Sequence, residues 1–326
     1  MSDRHTNEMH LTVGGRLDAP GEQAVAASLD RPNSLTSGHR GCQGCGQVLG
    51  ARTVVDAALH VTNQQLIVVN ATGCLEVITT PFPESSWNVA WVHSLFGNAP
   101  AVASGVTAAL AAAERADVRV LAQGGDGATV DIGFGCLSGM FDRNDDVLYV
   151  CYDNEAYMNT GVQRSGATPP GARTATTPNV GTHPGNPVGV GKNVPRIAMA
   201  HGIPYVATAS IADLRDLERK VRRAMEFRGA RYIHVHTPCP LGWGIDPSEI
   251  MHAARLAIES GLFPIFEAEY GVPTGHRKIR QRVPVRDYLR LQKRFAHLFA
   301  PDADTTPIEV IEQIAEDNLR RYDLLN

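Results

Sequence analysis

Asp126 stands between Gly125 and Gly127 where an apolar run, Val118 to Ala122, ends. Asn154 follows the next apolar run, Val147 to Cys151. One strand-and-helix unit separates the two positions, so both reach the same end of a parallel sheet. A carboxylate and a side-chain carbonyl placed together suit Mg²⁺, which takes six oxygens and commonly joins one or two protein oxygens to phosphate oxygens. The glycines let the backbone approach a diphosphate closely, and the following helix N-terminus favours its negative charge. Gly-Asp-Gly alone also makes an ordinary turn, so the content of the motif lies in its pairing with Asn154.

The second group is sulfur. The chain has six cysteines: Cys42, Cys45, Cys74, Cys136, Cys151 and Cys239. Cys42-Gln43-Gly44-Cys45 is a C-x-x-C, which by itself fits a redox pair, half a zinc site or part of an iron–sulfur site. A thioredoxin-type pair would open a helix after a strand, whereas this one follows a Gly/Ser/Thr-rich segment. Cys74 and Cys239 each follow an expected strand. Four thiolates gathered at one sheet edge could hold a zinc ion or a 4Fe–4S cube. Cys136, in a helical stretch, and Cys151, at a strand end, read as packed thiols.

These residues need elements to position them. Helical sequence runs from Val48 to Leu59, Ala99 to Arg115, Asp131 to Phe141, Arg196 to His201, Asp213 to Arg228, 247 to 261 and Pro307 to Asp323. Strands are expected at Leu66 to Val69, Val118 to Ala122, Val147 to Cys151, Tyr205 to Ala209 and Tyr232 to His236. Alternation of this kind predicts an α/β fold, a mostly parallel sheet with helices on both faces. Ligands then lie outside the carboxyl ends of the strands. The loops at 70–74, 123–127, 152–161 and 237–240 all follow strands and should cluster there. Residues 1–34 read as an N-terminal arm, 35–262 as the ligand-binding domain and 263–326 as a C-terminal extension making subunit contacts. The stretch from Glu155 to Pro195, rich in Gly, Pro, Thr and Asn, is too long for a plain connection and points to a functional loop.

Composition excludes several classes. The chain has 326 residues, 43% of them hydrophobic, and a formal net charge of −4. It has no global basic field for nucleic acid or anionic lipid, and no apolar stretch near the ~18 residues that span a bilayer. Met1 to Glu22 is polar, unlike a secretory signal. A cytoplasmic location with reduced thiols is expected. Arg277, Lys278, Arg280 and Arg282 read as a solvated surface before a partner-docking patch. His234 and His236 share one face of a strand and read as core or supporting histidines rather than ligands. Trp87, Trp91 and Phe96 fit either a pocket wall or plain packing.

Gly125-Asp126-Gly127 with Asn154 resembles the thiamine-diphosphate signature. Several further motifs occur with it, in order: Gly38-His39-Arg40-Gly41-Cys42-Gln43-Gly44-Cys45-Gly46, Asn70-Ala71-Thr72-Gly73-Cys74, Asp153-Asn154-Glu155-Ala156-Tyr157-Met158-Asn159-Thr160-Gly161, and Thr237-Pro238-Cys239-Pro240-Leu241-Gly242-Trp243. Together they resemble the β subunit of the 2-oxoacid:ferredoxin oxidoreductases, in the pyruvate-type branch, over roughly residues 35–270. The resemblance implies a thiamine diphosphate-binding fold and a 4Fe–4S cluster on Cys42, Cys45, Cys74 and Cys239. It implies Mg²⁺ held by Asp126, Asn154 and the Ala156 carbonyl, with Thr72, Gly73, Gly125, Gly127 and Thr160 beside the cofactor. Asn159 matches the family's catalytic polar residue near the thiazolium. The implied reaction is oxidative decarboxylation of a 2-oxoacid with coenzyme A. The substrate, pyruvate or an aryl 2-oxoacid such as phenylglyoxylate, stays open.

The implied partners are an α subunit that supplies the activating glutamate and part of the substrate pocket, a γ subunit and a ferredoxin-like δ subunit. Electrons would pass to ferredoxin, or to NAD through an added flavin subunit. Two competing readings remain. One is a non-redox thiamine decarboxylase or synthase with a structural zinc at the cysteines. The other is an electron-relay subunit that binds no thiamine.

Overall fold

The computed structural model describes residues 33–81, 84–181 and 184–325. The N-terminal arm lies outside the described residues except at Asn33 and Ser34. The described residues build one eight-stranded sheet. Its strands are β1 (Leu66–Ala71), β2 (Ala90–Ser94), β3 (Arg119–Gly125), β4 (Val147–Asp153), β5 (Tyr205–Ser210), β6 (Arg231–His236), β7 (Phe266–Glu269) and β8 (Val272–His276). They lie in the order β2-β1-β3-β4-β6-β5-β7-β8. The first six pair in parallel, and β7 and β8 close the far edge as an antiparallel hairpin.

β4, β5 and β6 are buried along their whole length because helices cover both faces, which is why they read as continuous apolar runs rather than alternating ones. Leu148, Val150 and Tyr152 of β4 face one core with Val54 and Ala58 of helix α1 (Gly46–Val61). The intervening Val147, Tyr149 and Cys151 face the other core with Ala99 and Ala103. A third core lies beneath the C-terminal segment, around Trp243, Tyr288, Phe295 and Ile311.

The expected strands and the main helices are present, with differences that have physical causes. β2 was not expected; it is an edge strand whose mixed exposure gives no hydrophobic signature. The short helix α2 (Cys74–Thr79) was also not expected. The helix expected at 131–141 begins earlier. A π-helical segment, Gly127–Ile132, follows Asp126 directly and passes through Gly133 into helix Phe134–Asp142. A side chain at Gly133 would meet the Ala128 carbonyl oxygen at 2.2 Å, so the irregular turn requires glycine there. Residues 266–276, at the start of the expected C-terminal extension, continue the same sheet through β7 and β8.

Arg231, at the start of β6, is fully buried. Its guanidinium meets Asp146 Oδ1 at 2.5 Å and donates to the Phe227 carbonyl at 2.7 Å. Asp146 also binds Arg119, Arg228 and the Gly229 amide. Burial alone would raise the Asp146 carboxyl; Arg231, Arg228 and Arg119 outweigh it and hold its pKa below the ordinary value. Asp146→Ala strands a buried cation, and chemical denaturation should show a loss of about 3–5 kcal/mol. A pKa depressed in the folded state gives stability that is full above the unfolded pKa of about 3.9 and vanishes as pH falls through the lower folded value. The penalty should therefore be constant from neutral pH to about 5 and shrink below about 4; a penalty unchanged at pH 3 would count against this ion cluster.

Candidate functional site

The carboxyl ends of β1, β3, β4 and β6 deliver four loops to one edge. Thr72, Gly73 and Cys74 come from the first, Gly125 to Ala128 from the second, and Asn154 and Ala156 to Thr160 from the third. All of them line one cleft, joined by Gln47 of α1 and by Phe96. Every residue expected to touch the cofactor or the cation is thus in one place. A larger cavity of about 340 Å³ lies behind the 153–155 turn, lined by His234, His236, Phe263 and Tyr288. It gathers none of the expected cofactor residues, which line the smaller cleft.

The floor of the cleft is oxygen. Asp126 is 1% exposed. Burial first, and then the neighbouring Asp153, push its pKa well above the usual carboxylate range, against the pull of Ser165. The Asn154 side chain turns Oδ1 toward Asp126 Oδ1 and the Ala156 carbonyl oxygen. Three acceptors facing one another repel. Turning the amide over would let its nitrogen donate to both neighbours; a cation among the oxygens satisfies them as they stand.

Neighbours hold this floor rigid. Trp243 Nε1 donates to the Asn154 carbonyl at 2.8 Å, and the Arg294 guanidinium stacks 4.0 Å over the Trp243 ring while pairing with Glu155. His234 Nε2 meets Asp153 Oδ2 at 2.9 Å and the Tyr232 hydroxyl meets His234 Nδ1 at 2.6 Å. Burial would lower the His234 pKa, but Cys151 and Asp153 outweigh it and push it to about 10. His236 lies 3.7 Å from Glu155. The two histidines therefore support the residues on either side of Asn154. The long loop after it is tied down as well: Ser165 Oγ donates to Asp126 Oδ2 at 2.5 Å, the Gly166 amide to Asp131 at 2.7 Å and Lys192 Nζ to Asp131 at 3.0 Å.

One wall is aromatic. Phe96 stacks on Tyr157 with ring centroids 5.7 Å apart. Of the three aromatic residues weighed from sequence, Phe96 lines the cleft. Trp87 is core, its Nε1 donating to Thr79 at 2.9 Å, and Trp91 stacks on His93. Thr72 Oγ1 lies 2.7 Å from His93 Nε2 at the rim, and Asn159 and Thr160 are exposed there. Gln47, Ser165 and Trp243 were not picked out as site residues. Each reaches the site through tertiary packing; Gln47 and Ser165 sit in no quoted motif, and Trp243 ends the 237–243 motif without a role assigned to it.

The thiols adjoin the cleft. Cys74 lines it, while Cys42 and Cys45 line a depression with His39, Arg52 and Pro247. Cys239 caps the short helix Pro240–Trp243, its Sγ accepting from the Gly242 amide. Burial pushes the Cys45 thiol to about 11 and the Cys74 thiol to about 12, and in each case Cys239 and Cys42 add to the rise. The four thus sense one another electrically, and removing their protons calls for cationic compensation. Among the described residues no three His, Cys, Asp or Glu side chains are gathered closely enough to hold a single metal ion. Cys151 is sealed in the core and Cys136 lies in the helix Phe134–Asp142. Arg277, Lys278 and Arg282 pair at the surface with Asp213, Asp323 and Glu316. No helix among the described residues is long and apolar enough to cross a membrane.

Residues 71–235 match the C-terminal thiamine pyrophosphate-binding domain of thiamine pyrophosphate enzymes. The chain is 52% identical over 291 residues to pyruvate synthase subunit PorB of Methanosarcina barkeri, covering 89% of this chain and 97% of that one. This chain belongs to the β-subunit family of the 2-oxoacid:ferredoxin oxidoreductases, in the pyruvate-type branch. Ketoisovalerate oxidoreductase subunit VorB of Pyrococcus horikoshii is 36% identical, over 91% of this chain and 96% of its own. The 2-oxoglutarate:ferredoxin oxidoreductase of Magnetococcus marinus superposes with a TM-score of 0.54 at 23% identity, covering 85% of this chain and 94% of that one, which shows a shared fold. The chain is thus the β subunit of a thiamine-dependent 2-oxoacid oxidoreductase.

Within this β subunit, Gly127 is under a steric constraint. A Cβ there would lie 2.5 Å from Tyr157 Cε1. Gly127→Ala should push Tyr157 off Phe96 at a cost of about 1–3 kcal/mol. Titrating thiamine diphosphate against tryptophan fluorescence should show affinity weakened roughly ten- to hundredfold. Unchanged affinity would mean that the tyrosine wall plays no part in binding.

Proposed function

We propose that this β subunit carries the cofactors of a pyruvate synthase. The complex would convert pyruvate and coenzyme A to acetyl-CoA, CO₂, a proton and two electrons. What carries the reading is the cleft itself, where three preset oxygens stand beside Cys74. The choice of pyruvate rests on the 52% identity with a pyruvate synthase subunit. The 36% identity with a ketoisovalerate enzyme leaves a branched substrate, or an aryl one such as phenylglyoxylate, to be tested.

Asp126 Oδ1, Asn154 Oδ1 and the Ala156 carbonyl would hold Mg²⁺, and the backbone at Gly125 and Gly127 would face the diphosphate. Thr72, Gly73 and Thr160 would flank the cofactor. Cys42, Cys45, Cys74 and Cys239 would ligate a 4Fe–4S cluster, the buried thiols giving up their protons as it forms. When bound, thiamine diphosphate supplies the electron sink for decarboxylation, and the cluster takes electrons one at a time. Asn159 would orient the 2-oxoacid by hydrogen bonding at the rim. Phe96 and Tyr157 would exclude water and stray protons, steering the reaction toward oxidation rather than aldehyde release.

The relatives are named as subunits, which supports a multi-subunit enzyme. An α subunit would provide the activating glutamate and the rest of the substrate pocket. γ and ferredoxin-like δ subunits would carry electrons to ferredoxin, or to NAD through an added flavin subunit.

In the assembled complex Asp126→Ala should abolish thiamine diphosphate binding and turnover, with the visible iron–sulfur absorbance intact. Turnover that survives this change would sink the thiamine role of the cleft. Cys74→Ser should bleach the visible iron–sulfur absorbance and stop viologen reduction; a colourless, zinc-containing parent would instead favour the non-redox alternative. A panel of 2-oxoacids with coenzyme A and a viologen dye should show pyruvate fastest, and a branched or aryl acid outrunning it would reassign the substrate.

A further inference from the structure

We infer that Ser165 makes Asp126 a one-oxygen ligand and so tunes the site to an ion the size of Mg²⁺. The inference deepens the metal reading above and rests on it.

Asp126 has two carboxylate oxygens with different neighbours. Oδ1 faces the Asn154 side-chain amide. Oδ2 receives the Ser165 hydroxyl at 2.5 Å. A carboxylate oxygen occupied by a donor is a poor second ligand, so Asp126 offers the metal one oxygen. Mg²⁺ demands near-octahedral geometry at 2.0–2.1 Å and works with single carboxylate oxygens. Ca²⁺ takes six to eight oxygens at 2.3–2.6 Å and often binds a carboxylate through both.

Ser165 is fully buried and cannot easily turn away. Its amide donates to Thr168 Oγ1 at 2.9 Å, and its Oγ accepts from the Ala167 amide at 3.1 Å. With that proton received, the hydroxyl is free to give its own to Asp126. Thr168 Oγ1 in turn donates to the Glu155 carbonyl at 2.7 Å, between Asn154 and Ala156. One short segment, 165–168, therefore touches both the carboxylate and the backbone turn that supplies the other two oxygens. Gly191 packs against the Gly166 carbonyl so closely that a Cβ would come within 1.9 Å, which holds the segment from behind.

The test uses the assembled complex, stripped of metal and thiamine diphosphate by a chelator, with the iron–sulfur absorbance as a check on integrity. Thiamine diphosphate affinity is then measured by fluorescence in Mg²⁺ and in Ca²⁺. The parent should bind better with Mg²⁺. Ser165→Ala should lower the Mg²⁺-to-Ca²⁺ affinity ratio by about tenfold, and Ser165→Thr, which keeps the hydroxyl, should restore most of it. Equal losses with both ions, or no loss, would overturn the inference. If Ser165→Ala does not assemble, Ser165→Cys takes its place, since a thiol is a weak donor; a ratio equal to that of Ser165→Thr would overturn the inference equally. Asp126→Ala separates the two levels. If it retains metal-dependent cofactor binding, the metal reading itself fails; if it loses binding while Ser165→Ala leaves the ratio unchanged, only the role of Ser165 fails.

Discussion

A carboxylate buried among other oxygens is the constraint on which this structure turns. Asp126 sits in the floor of a cleft with Asp153 nearby and with the oxygens of Asn154 and Ala156 opposite. Removing an ionised carboxylate from water is expensive unless a cation or donors compensate. Ser165 gives one hydrogen bond. With no cation beside Asp126, burial and the neighbouring Asp153 keep its pKa well above the ordinary carboxylate range. The sheet order puts β3 and β4 side by side, so the two turns that form this floor are adjacent by construction.

Much of the surrounding polar structure makes sense as support for that floor. Asp153 and Glu155 flank Asn154, and each is held from below, the first by His234 and Tyr232 and the second by Arg294 and His236. Arg294 belongs to the C-terminal segment, and its stacking on Trp243 connects that segment to the Asn154 carbonyl. Residues beyond 285 thus have a share in the geometry of the cleft although they line none of it. Such buried networks are rigid when every member is satisfied, and they are correspondingly sensitive to the loss of one.

What could be read from the sequence was local. Gly125-Asp126-Gly127 and Asn154 were legible because each closes a buried strand, and parallel topology brings the ends of such strands together. Cys42 and Cys45 announced themselves by spacing, Cys74 and Cys239 by following strands. The edge strand β2 was illegible because it has no alternating burial. The π-helical turn after Asp126 was hidden because its glycines look like helix breakers. Ser165 lies in a stretch whose composition says only loop, and its value comes from a hydrogen bond across 39 residues of chain. Gln47 was invisible as a site residue for the same reason, and Trp243, although it ends the 237–243 motif, showed nothing there of its contact with the Asn154 carbonyl.

The placement of the four thiols has a consequence for biosynthesis. Cys42 and Cys45 precede the first parallel strand, and Cys239 follows β6. At roughly 5–20 residues per second of translation, about 10–40 s separate the first thiol from the last. During that interval the early pair has no partner from beyond β6. A group shared by all four thiols can be completed only once the chain has been made through Cys239.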